Sequence, residues 1–557
     1  MTMMKPVKVI CCLFLLAFFT LFLILPVFTV VEEGLRWDLL REIARNRIYL
    51  LGLWNSFRIA VTTTLLVFMI SLPLALLYDR YEFRGKSLCS LAMMLPMILP
   101  PFVGALGFQQ ILGHYGVVNT VLTSLGGARI DFLGGEGRFW SVCFIMALHL
   151  YPILYLNLVT ALGNIDPTLN EAAANLGASK WKRLTAVTLP LLKPGILAGG
   201  SIVLIWSFTE LGTPLMFGCT RTSAVQIFNG ITELETNPLP YTLVIVMLAL
   251  ALAMYLLSRL FLHSSAGAAA VKGSMGSSGR PAAGIMKFLV PGAFALVTFL
   301  AVLPHIALIL AAFFRSWYGT VLPEHFTLVH FQNALSHKMV VPSIVNSLKY
   351  SSLAMIFALA AGLLIALAAA RWKFRFAPLL DVLAMTPLAV PGIVIAFGFL
   401  GMSVKYSWAR EIFNPVENPL LLLAAAYAVR RLPYVVRSVS SGMEQTPEEL
   451  ENAARNMGAG PLRTLWKITF PLISANLIVG GLFAFSFSML EVSDSLILAQ
   501  KAAFFPITRA VFELSQILGS GPVTACAFGV WTMLFMATTL AAAGILLGRK
   551  IGAIFKM

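Results

Sequence analysis

Long apolar segments recur along the whole chain, and they limit its fold more than any other feature of the sequence. Each is long enough to cross a hydrocarbon layer of about 30 Å as a helix that rises about 1.5 Å per residue. Only 11% of the 557 residues are charged, against about 25% in soluble proteins, and the alternating pattern of a membrane β-barrel is missing. The sequence therefore predicts an all-α polytopic membrane protein with about twelve transmembrane helices, at residues 8–31, 57–78, 87–112, 139–163, 194–218, 238–262, 284–313, 348–370, 377–402, 419–437, 473–499 and 522–547.

The basic residues give the chain a net charge of +16, and their placement predicts its orientation. Lys and Arg are more frequent in the loops on the side of the N-terminus, which include Arg80, Lys180, Lys182 and Arg371. Cytoplasmic loops of membrane proteins are enriched in these residues, so we expect both termini in the cytoplasm. Nucleic-acid binding is not expected, because no basic face with interleaved aromatic residues accompanies the charge.

The chain consists of two similar halves. Residues 55–80 match residues 346–371, and both segments begin with Asn-Ser and end with Arg. A Gly-, Ser- and Ala-rich segment, residues 263–284, has the composition of a flexible linker. We therefore expect a first half at residues 1–262 and a second half at residues 285–557, each with six spans. Because six is even, both halves begin on the same side, which predicts parallel repeats of the kind found in transporters.

A polar, basic segment interrupts the apolar pattern once in each half, between the fourth and fifth spans. Loop one, residues 164–193, contains EAAANLGASKWKRLTAVTLP, and loop two, residues 438–472, contains NAARNMGAGPLRTLWKITFP at the equivalent position. The Ala-rich run favours a helix, Gly177 favours a turn, and Ser179 is suited to cap a second, basic helix that we expect Pro190 to end. An ordinary basic loop requires only charged residues. It would not require the same spacing of Ala, Gly and Pro in both halves.

The frame of both loops resembles the EAA signature of ABC-importer permeases. Loop one matches the signature at Glu171, Ala172, Ala173, Gly177 and Pro190. Loop two matches it at Ala453, Ala454, Gly458 and Pro471, with departures at Asn452 and at Phe470, which replaces the leucine before the final proline. Asn452 stands at the position of the signature glutamate, and Glu451 precedes it by one residue. The turn and the docking shape are expected to survive this departure, but the charge for an ion pair at that position is lost.

Two such loops on one chain resemble a fused permease of the type I fold, in which two parallel six-helix repeats make up the transmembrane domain. The resemblance covers nearly the whole chain and implies a component of the bacterial inner membrane. It also implies that each loop docks on one subunit of a homodimeric ATPase, and that a periplasmic or lipid-anchored binding protein delivers the substrate. In the family the ATPase, rather than the permease, binds ATP and Mg²⁺, so this chain is expected to hold no cofactor.

One short stretch imitates a nucleotide-binding loop. Gly85-Lys86-Ser87 has the final residues of the GxxxxGK[ST] motif, but residue 80 is Arg rather than Gly, and no strand is predicted before it. The sequence therefore predicts that the chain is not an enzyme and that ATP hydrolysis occurs on a separate subunit.

Ionisable residues inside the predicted spans are candidates for the translocation pathway. Glu210 and Glu491 stand at equivalent positions of the fifth and eleventh spans, and Asp494 follows the second of them. Carboxylates are hard oxygen ligands that suit a cationic or metal-bearing substrate. Alternatively, each glutamate neutralises a buried base, for which Arg430, Arg431 and His149, the repeat equivalent of Arg430, are candidates. The sequence leaves both interpretations open and indicates no certain metal site.

Prolines are concentrated in the third and ninth spans, at Pro96, Pro100, Pro101, Pro387 and Pro391. A proline inside a helix removes a backbone hydrogen bond and kinks or breaks the helix. We therefore expect both spans to be broken, either to expose backbone carbonyls to a pathway or as packing kinks.

The stretches HLYP, FTELGTP and LPPFVGALGF are most similar to those of iron(III)-type permeases, a group that also contains thiamine permeases. This resemblance implies ferric iron, bare or chelated, as the substrate, with thiamine, phosphonate or polyamine as alternatives within the same importer class. Asp79-Arg80, followed by Arg84, Gly85 and Lys86, resembles a loop motif of ion-coupled secondary carriers. The leading glycine of that motif is Ala75 here, and that class gives no reason for two EAA loops.

Overall fold

The computed structural model describes residues 4–98, 101–234, 236–263, 279–372, 374 and 376–547. In this part of the chain nearly all regular structure is helical. One two-stranded sheet pairs Tyr81–Glu82 in parallel with Arg280–Pro281, and the other pairs Phe314–Ser316 with Glu324–Phe326 in antiparallel register. Residues 264–278 of the predicted linker 263–284 lie outside the described residues, as does Pro100.

The helices of the first half, in chain order, are α1 Met4–Phe19, α2 Leu25–Gly34, α3 Trp37–Arg45, α4 Arg47–Arg80, α5 Lys86–Ala92, α6 Leu95–Ile98, α7 Pro101–Leu112, α8 Val117–Ser124, α9 Gly135–Gly163, α10 Pro167–Asn175, α11 Lys180–Arg183, α12 Leu189–Thr209, α13 Gly212–Met216, α14 Ser223–Asn229 and α15 Leu239–His263. Five-residue π-helical turns at Thr20–Ile24 and Leu184–Thr188 join their neighbouring helices into continuous spans, and a 3₁₀ turn covers Gly230–Glu233.

The helices of the second half are α16 Met286–Phe313, α17 Val329–Ser336, α18 Val340–Ala370, α19 Ala377–Ala389, α20 Gly392–Lys405, α21 Ser407–Ile412, α22 Leu420–Glu444, α23 Glu448–Asn456, α24 Pro461–Thr464, α25 Phe470–Met489, α26 Ser493–Leu498, α27 Ile507–Gln516 and α28 Gly521–Leu547. A π-helical turn at Leu465–Thr469 joins α24 to α25, and a 3₁₀ turn covers Ala502–Phe504.

Nine helical segments among the described residues are long and apolar enough to cross a membrane, at Lys8–Gly34, Arg47–Arg80, Gly135–Gly163, Lys180–Thr209, Leu239–Ser258, Met286–Phe313, Val340–Ala370, Pro461–Met489 and Gly521–Thr539. Two bent helix pairs, α5–α6 with α7–α8 and α19 with α20, raise the count to eleven if each pair is one span. The remaining predicted span, 419–437, coincides with α22, which carries Arg430, Arg431 and Arg437 and is therefore less apolar.

The bent pairs are the third and ninth predicted spans. The helix axes turn by 91° at the break that follows Met97 and by 100° at the break before Gly392. Pro101 begins α7, and Pro391 directly precedes α20, so proline stands at the start of the second segment of each pair. The expectation of broken helices at these positions is confirmed.

The first span of each half packs against the opposite half. In the first span, α2 packs on α20, and a Cβ on Gly398 would collide with the backbone of Pro26. In the second half, α16 packs on α7, and a Cβ on Gly107 would collide with the carbonyl of Pro304. The halves are thus repeats in sequence that exchange their first helices, and much of the apolar core lies between them.

Candidate functional site

Loop one contains two short helices joined by a tight turn. The carboxylate of Asp166 caps α10 by accepting a hydrogen bond from the backbone N–H of Thr168 at 2.9 Å. After α10 the chain turns at Gly177, whose φ of +79° is accessible to glycine at little cost. The Ser179 hydroxyl then accepts a hydrogen bond from the N–H of Lys182 at 3.3 Å. The predicted turn and N-cap are confirmed.

The expectation that Pro190 ends the second helix is wrong. The helix continues from Lys180 to Thr209 through the π-helical turn Leu184–Thr188, in which the N–H of Leu189 bonds the carbonyl of Leu184. Proline lacks the N–H of a regular helical hydrogen bond and its ring crowds the preceding turn. The wider π-helical turn precedes this proline and keeps the helix continuous. The basic part of loop one after Gly177 is therefore the first part of the fifth span, and α10 is the separate helix that precedes it.

Loop two repeats this geometry residue for residue. Its helices α23 and α24 and its π-helical turn Leu465–Thr469 correspond to those of loop one in length and spacing. Gly458 has a φ of +86°, and the N–H of Ala459 bonds the carbonyl of Ala454 at 3.0 Å, as Ala178 bonds Ala173 in loop one. Pro471 takes the place of Pro190 inside a continuous helix from Pro461 to Met489.

The turns present apolar side chains to solvent. Leu176 is 88% exposed and its equivalent Met457 is 83% exposed. Among the signature positions, the side chains of Glu171, Ala172, Asn452 and Ala453 are exposed, Ala173 is half-buried and Ala454 is buried. Single exposed apolar side chains are common on protein surfaces, so the informative observation is that the same turn exposes one in both repeats.

Glu451 is not on that surface. Its side chain is 5% exposed and forms an ion pair with Nε of Arg371 at 2.8 Å, at the end of α18. It also accepts a hydrogen bond from Thr469 at 3.1 Å, while Arg371 donates to the carbonyls of Met443 and Thr446. Glu451 therefore fastens loop two to the helices above it and does not replace the exposed Glu171.

Loop one lacks this ion pair. The residue equivalent to Glu451 is Asn170, which accepts a hydrogen bond from Thr188 at 3.5 Å, and the equivalent of Arg371 is the exposed Arg80. The internal repeat pairs Arg80 with Arg371 but does not indicate that either contacts a loop, because Arg371 lies 80 residues before Glu451. The two loops thus share a backbone and differ in how they are held.

Both loops lie at the same end of the helix bundle. Lys8, at the start of the first span, lies 6.0 Å from the ring of Trp372, and both line a cavity with loop two. The first span and α4 follow each other in the chain and are joined by the short α3, so they run in opposite directions. The end of α4 therefore lies on the same side as the start of the first span. Ser71 of α4 bonds the carbonyl of Tyr151 of α9, which runs parallel to it and leads directly into loop one.

The other end of the loop-two helix carries a cluster of charges. After α25 ends, Glu491 is buried and accepts hydrogen bonds from Nη1 of Arg430 at 2.6 Å and from Nη2 of Arg431. Arg430 also lies 3.5 Å from Oδ1 of the fully buried Asp494. The Thr508 hydroxyl bonds the Glu491 carbonyl at 2.7 Å. Buried charges require partners of this kind, and two arginines neutralise Glu491 in this structure.

Glu210 lies in the equivalent break after α12, but it has no such partner set. One carboxylate oxygen accepts a hydrogen bond from the N–H of Thr213 at 3.3 Å, and the side chain interacts electrostatically with Glu491 and Arg430 across the two halves. His149, the equivalent of Arg430, does not pair with it, since its Nδ1 lies 2.7 Å from the carbonyl of Pro96. The structure therefore brings Glu210, Glu491, Asp494 and Arg430 together and leaves His149 apart.

The two breaks face each other at the interface between the halves. Gly212 lies two residues after Glu210, and Val492 directly follows Glu491. A Cβ on Gly212 would lie 2.9 Å from a methyl group of Val492. Within the described residues, no group of three or more His, Cys, Asp or Glu side chains is arranged to hold a metal ion.

Comparison with known proteins assigns the family. The family described as binding-protein-dependent transport system inner membrane component matches residues 53–265 and residues 358–543, and each match contains one of the two loops. The chain belongs to this family. It is therefore a multi-pass inner-membrane permease subunit of an ABC importer, a transport component whose partners include an ATPase and a substrate-binding protein.

The similarity to individual relatives covers different shares of this permease. The "Probable ABC transporter permease protein y4fN" of Sinorhizobium fredii is 26% identical over 82% of this chain and 82% of that protein. The "Ferric transport system permease protein FbpB" of Actinobacillus pleuropneumoniae is 24% identical over 76% of this chain and 61% of that protein, so this chain spans less than two thirds of its length.

Other relatives match one half. The "Molybdenum transport system permease protein ModB" of Haemophilus influenzae is 28% identical over 37% of this chain and 92% of that protein. A solved bacterial ABC transporter involved in the import of the acidic polysaccharide alginate covers 48% of this chain and 94% of that chain, with 19% identity and a TM-score of 0.37.

Proposed function

We propose that this permease docks a homodimeric ATPase through loops one and two and imports ferric iron, bare or chelated. The observation that carries the docking assignment is the repeated loop geometry. Both loops have the same helices, the same glycine turn and a large exposed apolar side chain, Leu176 or Met457, at the same end of the bundle. Two equivalent surfaces suit two copies of one subunit.

Each loop is rigidly continuous with a charged break. The helix Lys180–Thr209 contains 30 residues and leads from loop one to Glu210, and Pro461–Met489 leads from loop two towards Glu491. A helix of 30 residues is about 45 Å long. Movement of the loops by the closing ATPase would therefore be transmitted along two helices to breaks that face each other between the halves.

This proposal places the loops and both termini in the cytoplasm, as the distribution of Lys and Arg favours. ATP and Mg²⁺ are bound by the ATPase, and the permease holds no nucleotide. A periplasmic or lipid-anchored binding protein delivers the substrate at the opposite end of the bundle.

Ferric iron is supported by the ferric permease relative, whose similarity extends over 76% of this chain and therefore over both of its halves. The central charges agree with a cationic cargo. Since two arginines neutralise Glu491, Glu210 is the carboxylate of the pair that retains capacity to accept a cation from the pathway.

Deletion of Ala172–Gly177 tests the docking assignment. We expect the deletion to abolish co-purification of the ATPase and ATP-dependent uptake, while an equal deletion in the predicted linker, 268–273, leaves both intact. Full ATP-stimulated transport by the loop-one deletion would contradict the assignment.

Uptake of radioactive ferric iron into proteoliposomes with the ATPase and the binding protein tests the substrate. Molybdate, thiamine, a phosphonate and a polyamine serve as competitors. Iron uptake that none of them inhibits supports the proposal, and uptake of a competitor in place of iron refutes it without affecting the docking assignment.

A further inference from the structure

A cavity of about 360 Å³ opens beside loop two, at the end of the bundle that carries both loops. Its walls come from three parts of the chain, namely the start of the first span at Lys8, the end of α18 from Leu367 to Trp372, and loop two from Gly460 to Leu465. Its volume falls in the range of about 300–1,000 Å³ that is usual for small-molecule sites.

The charges that line this cavity are unbalanced. Four cations line it, Lys8, Arg371, Arg455 and Arg463, against the single carboxylate of Glu451. Glu451 pairs with Arg371 at 2.8 Å and with Arg455 at 3.6 Å. Lys8 contacts only the aromatic faces of Trp372 and Phe374 among the described residues, and Arg463 is exposed. Lys8 and Arg463 are therefore left without an anionic partner among the described residues, and the cavity fits an anion.

The remaining walls are apolar, and their position relates them to the bilayer. Leu367 lies in the last turn of a membrane-spanning helix, and Lys8 lies near the start of another, which begins with α1 at Met4. The ends of spanning helices mark the level of the lipid headgroups. Trp372 and Leu462 face the same cavity. Apolar walls beside spare cations at this level match the acyl chains and the phosphate group of a lipid.

We infer that this cavity binds the headgroup phosphate of an anionic glycerophospholipid, with Lys8 and Arg463 as its cationic contacts. Lipid bound here would join the first span, which packs on the second half, to loop two. The ion pair that shapes one wall, Arg371 with Glu451, has no equivalent in loop one, where Arg80 is exposed and Asn170 stands in place of the carboxylate. The proposed site therefore belongs to loop two and the first span.

Lipid titration of the full chain, purified in detergent with its ATPase, tests the inference. Short-chain phosphatidylglycerol is the probe, short-chain phosphatidylcholine is the neutral comparison, and inorganic phosphate represents a free anion. We expect phosphatidylglycerol to raise the melting temperature of the complex and the other two to leave it unchanged. Equal effects of the two lipids, or an effect of phosphate equal to that of phosphatidylglycerol, would overturn the assignment to an anionic lipid.

Paired variants locate the site. Each Lys or Arg near the membrane surface contributes a roughly fivefold preference for anionic lipid, so Lys8→Gln with Arg463→Gln should weaken phosphatidylglycerol binding about 30-fold. Lys8→Arg with Arg463→Lys should bind as the wild type does. The matched control, Arg84→Gln with Lys287→Gln, removes two exposed cations at the same end, outside the cavity and outside both loops, and should retain wild-type affinity.

Two results would refute the location. One is unchanged affinity in the neutral double variant, and the other is an equal loss in the control. If the neutral double variant does not assemble, Arg463→Gln alone carries the test, because Arg463 is exposed and makes no ion pair within the described residues. A loss of about fivefold is then expected, and unchanged affinity would again refute the location.

Discussion

Replacing Arg371 by Met should loosen loop two selectively. The Arg371 side chain is 8% exposed, and it pairs with a Glu451 side chain that is 5% exposed. Removing one partner of a buried ion pair leaves the other charge uncompensated and costs about 3–5 kcal/mol. The substitution also leaves the carbonyls of Met443 and Thr446 without the Arg371 donor. Arg455, at 3.6 Å and 44% exposed, compensates the carboxylate only weakly.

Hydrogen exchange at the backbone amides of loop two measures this change. A loss of 3–5 kcal/mol in local opening free energy corresponds to exchange that is roughly 100- to 4,000-fold faster. The matched control is Arg80→Met, because Arg80 is the repeat equivalent of Arg371 and is exposed. A surface substitution changes stability by about 0.5 kcal/mol or less, so loop one should exchange within about twofold of the wild-type rate.

A second substitution separates lost charge from lost shape. Apolar replacement of both partners of a buried ion pair is often neutral. Arg371→Met with Glu451→Leu should therefore restore most of the protection that Arg371→Met alone removes. Equal, small effects of Arg371→Met and Arg80→Met would refute the claim that an ion pair fastens loop two.

Three further substitutions test the other parts of the account. Glu491→Gln, which removes the charge shared by two arginines, should destabilise the permease by about 3–5 kcal/mol and lower its melting temperature, and an unchanged melting temperature would contradict the pairing. Glu210→Gln should reduce substrate uptake while melting and ATPase assembly remain as in the wild type, so normal uptake would remove Glu210 from the pathway. Gly458→Ala forces a side chain into a left-handed conformation at a cost of about 1–2 kcal/mol, measurable as faster exchange in loop two, and unchanged exchange would argue against this turn geometry.

Features set by local sequence could be predicted well. The turn at Gly177, the N-cap at Ser179 and the broken third and ninth spans depend on residues within one or two turns of each other. The repeat extends the turn to Gly458 in the second half, whereas Gly460 stands in place of Ser179 and offers no side-chain cap. Pro190 is the local exception, since a proline signal alone does not distinguish a helix end from a π-helical turn.

Features set by distant contacts could not be predicted. The burial of Glu451 depends on Arg371, which lies at the end of another helix. Neutralisation of Glu491 by a buried base is one of the two interpretations that the sequence leaves open, and the packing of α22 against α25 decides for it. The hydrophobic pattern likewise does not indicate that the halves exchange their first helices, because packing against either half would bury the same apolar face. The spacing of the signature residues therefore indicates where the loops lie, and the three-dimensional packing shows how each loop is held.

The number of ATPase subunits bound per permease tests the docking of both loops most directly. Native mass spectrometry of the purified complex should give two subunits for the wild type and none for the double variant Leu176→Asp with Met457→Asp, which places a charge on both exposed turns. The double variant Arg84→Gln with Lys287→Gln, which leaves both loops intact, controls for a general change in surface charge. Two bound subunits and undiminished ATP-driven uptake in the aspartate double variant would contradict the account.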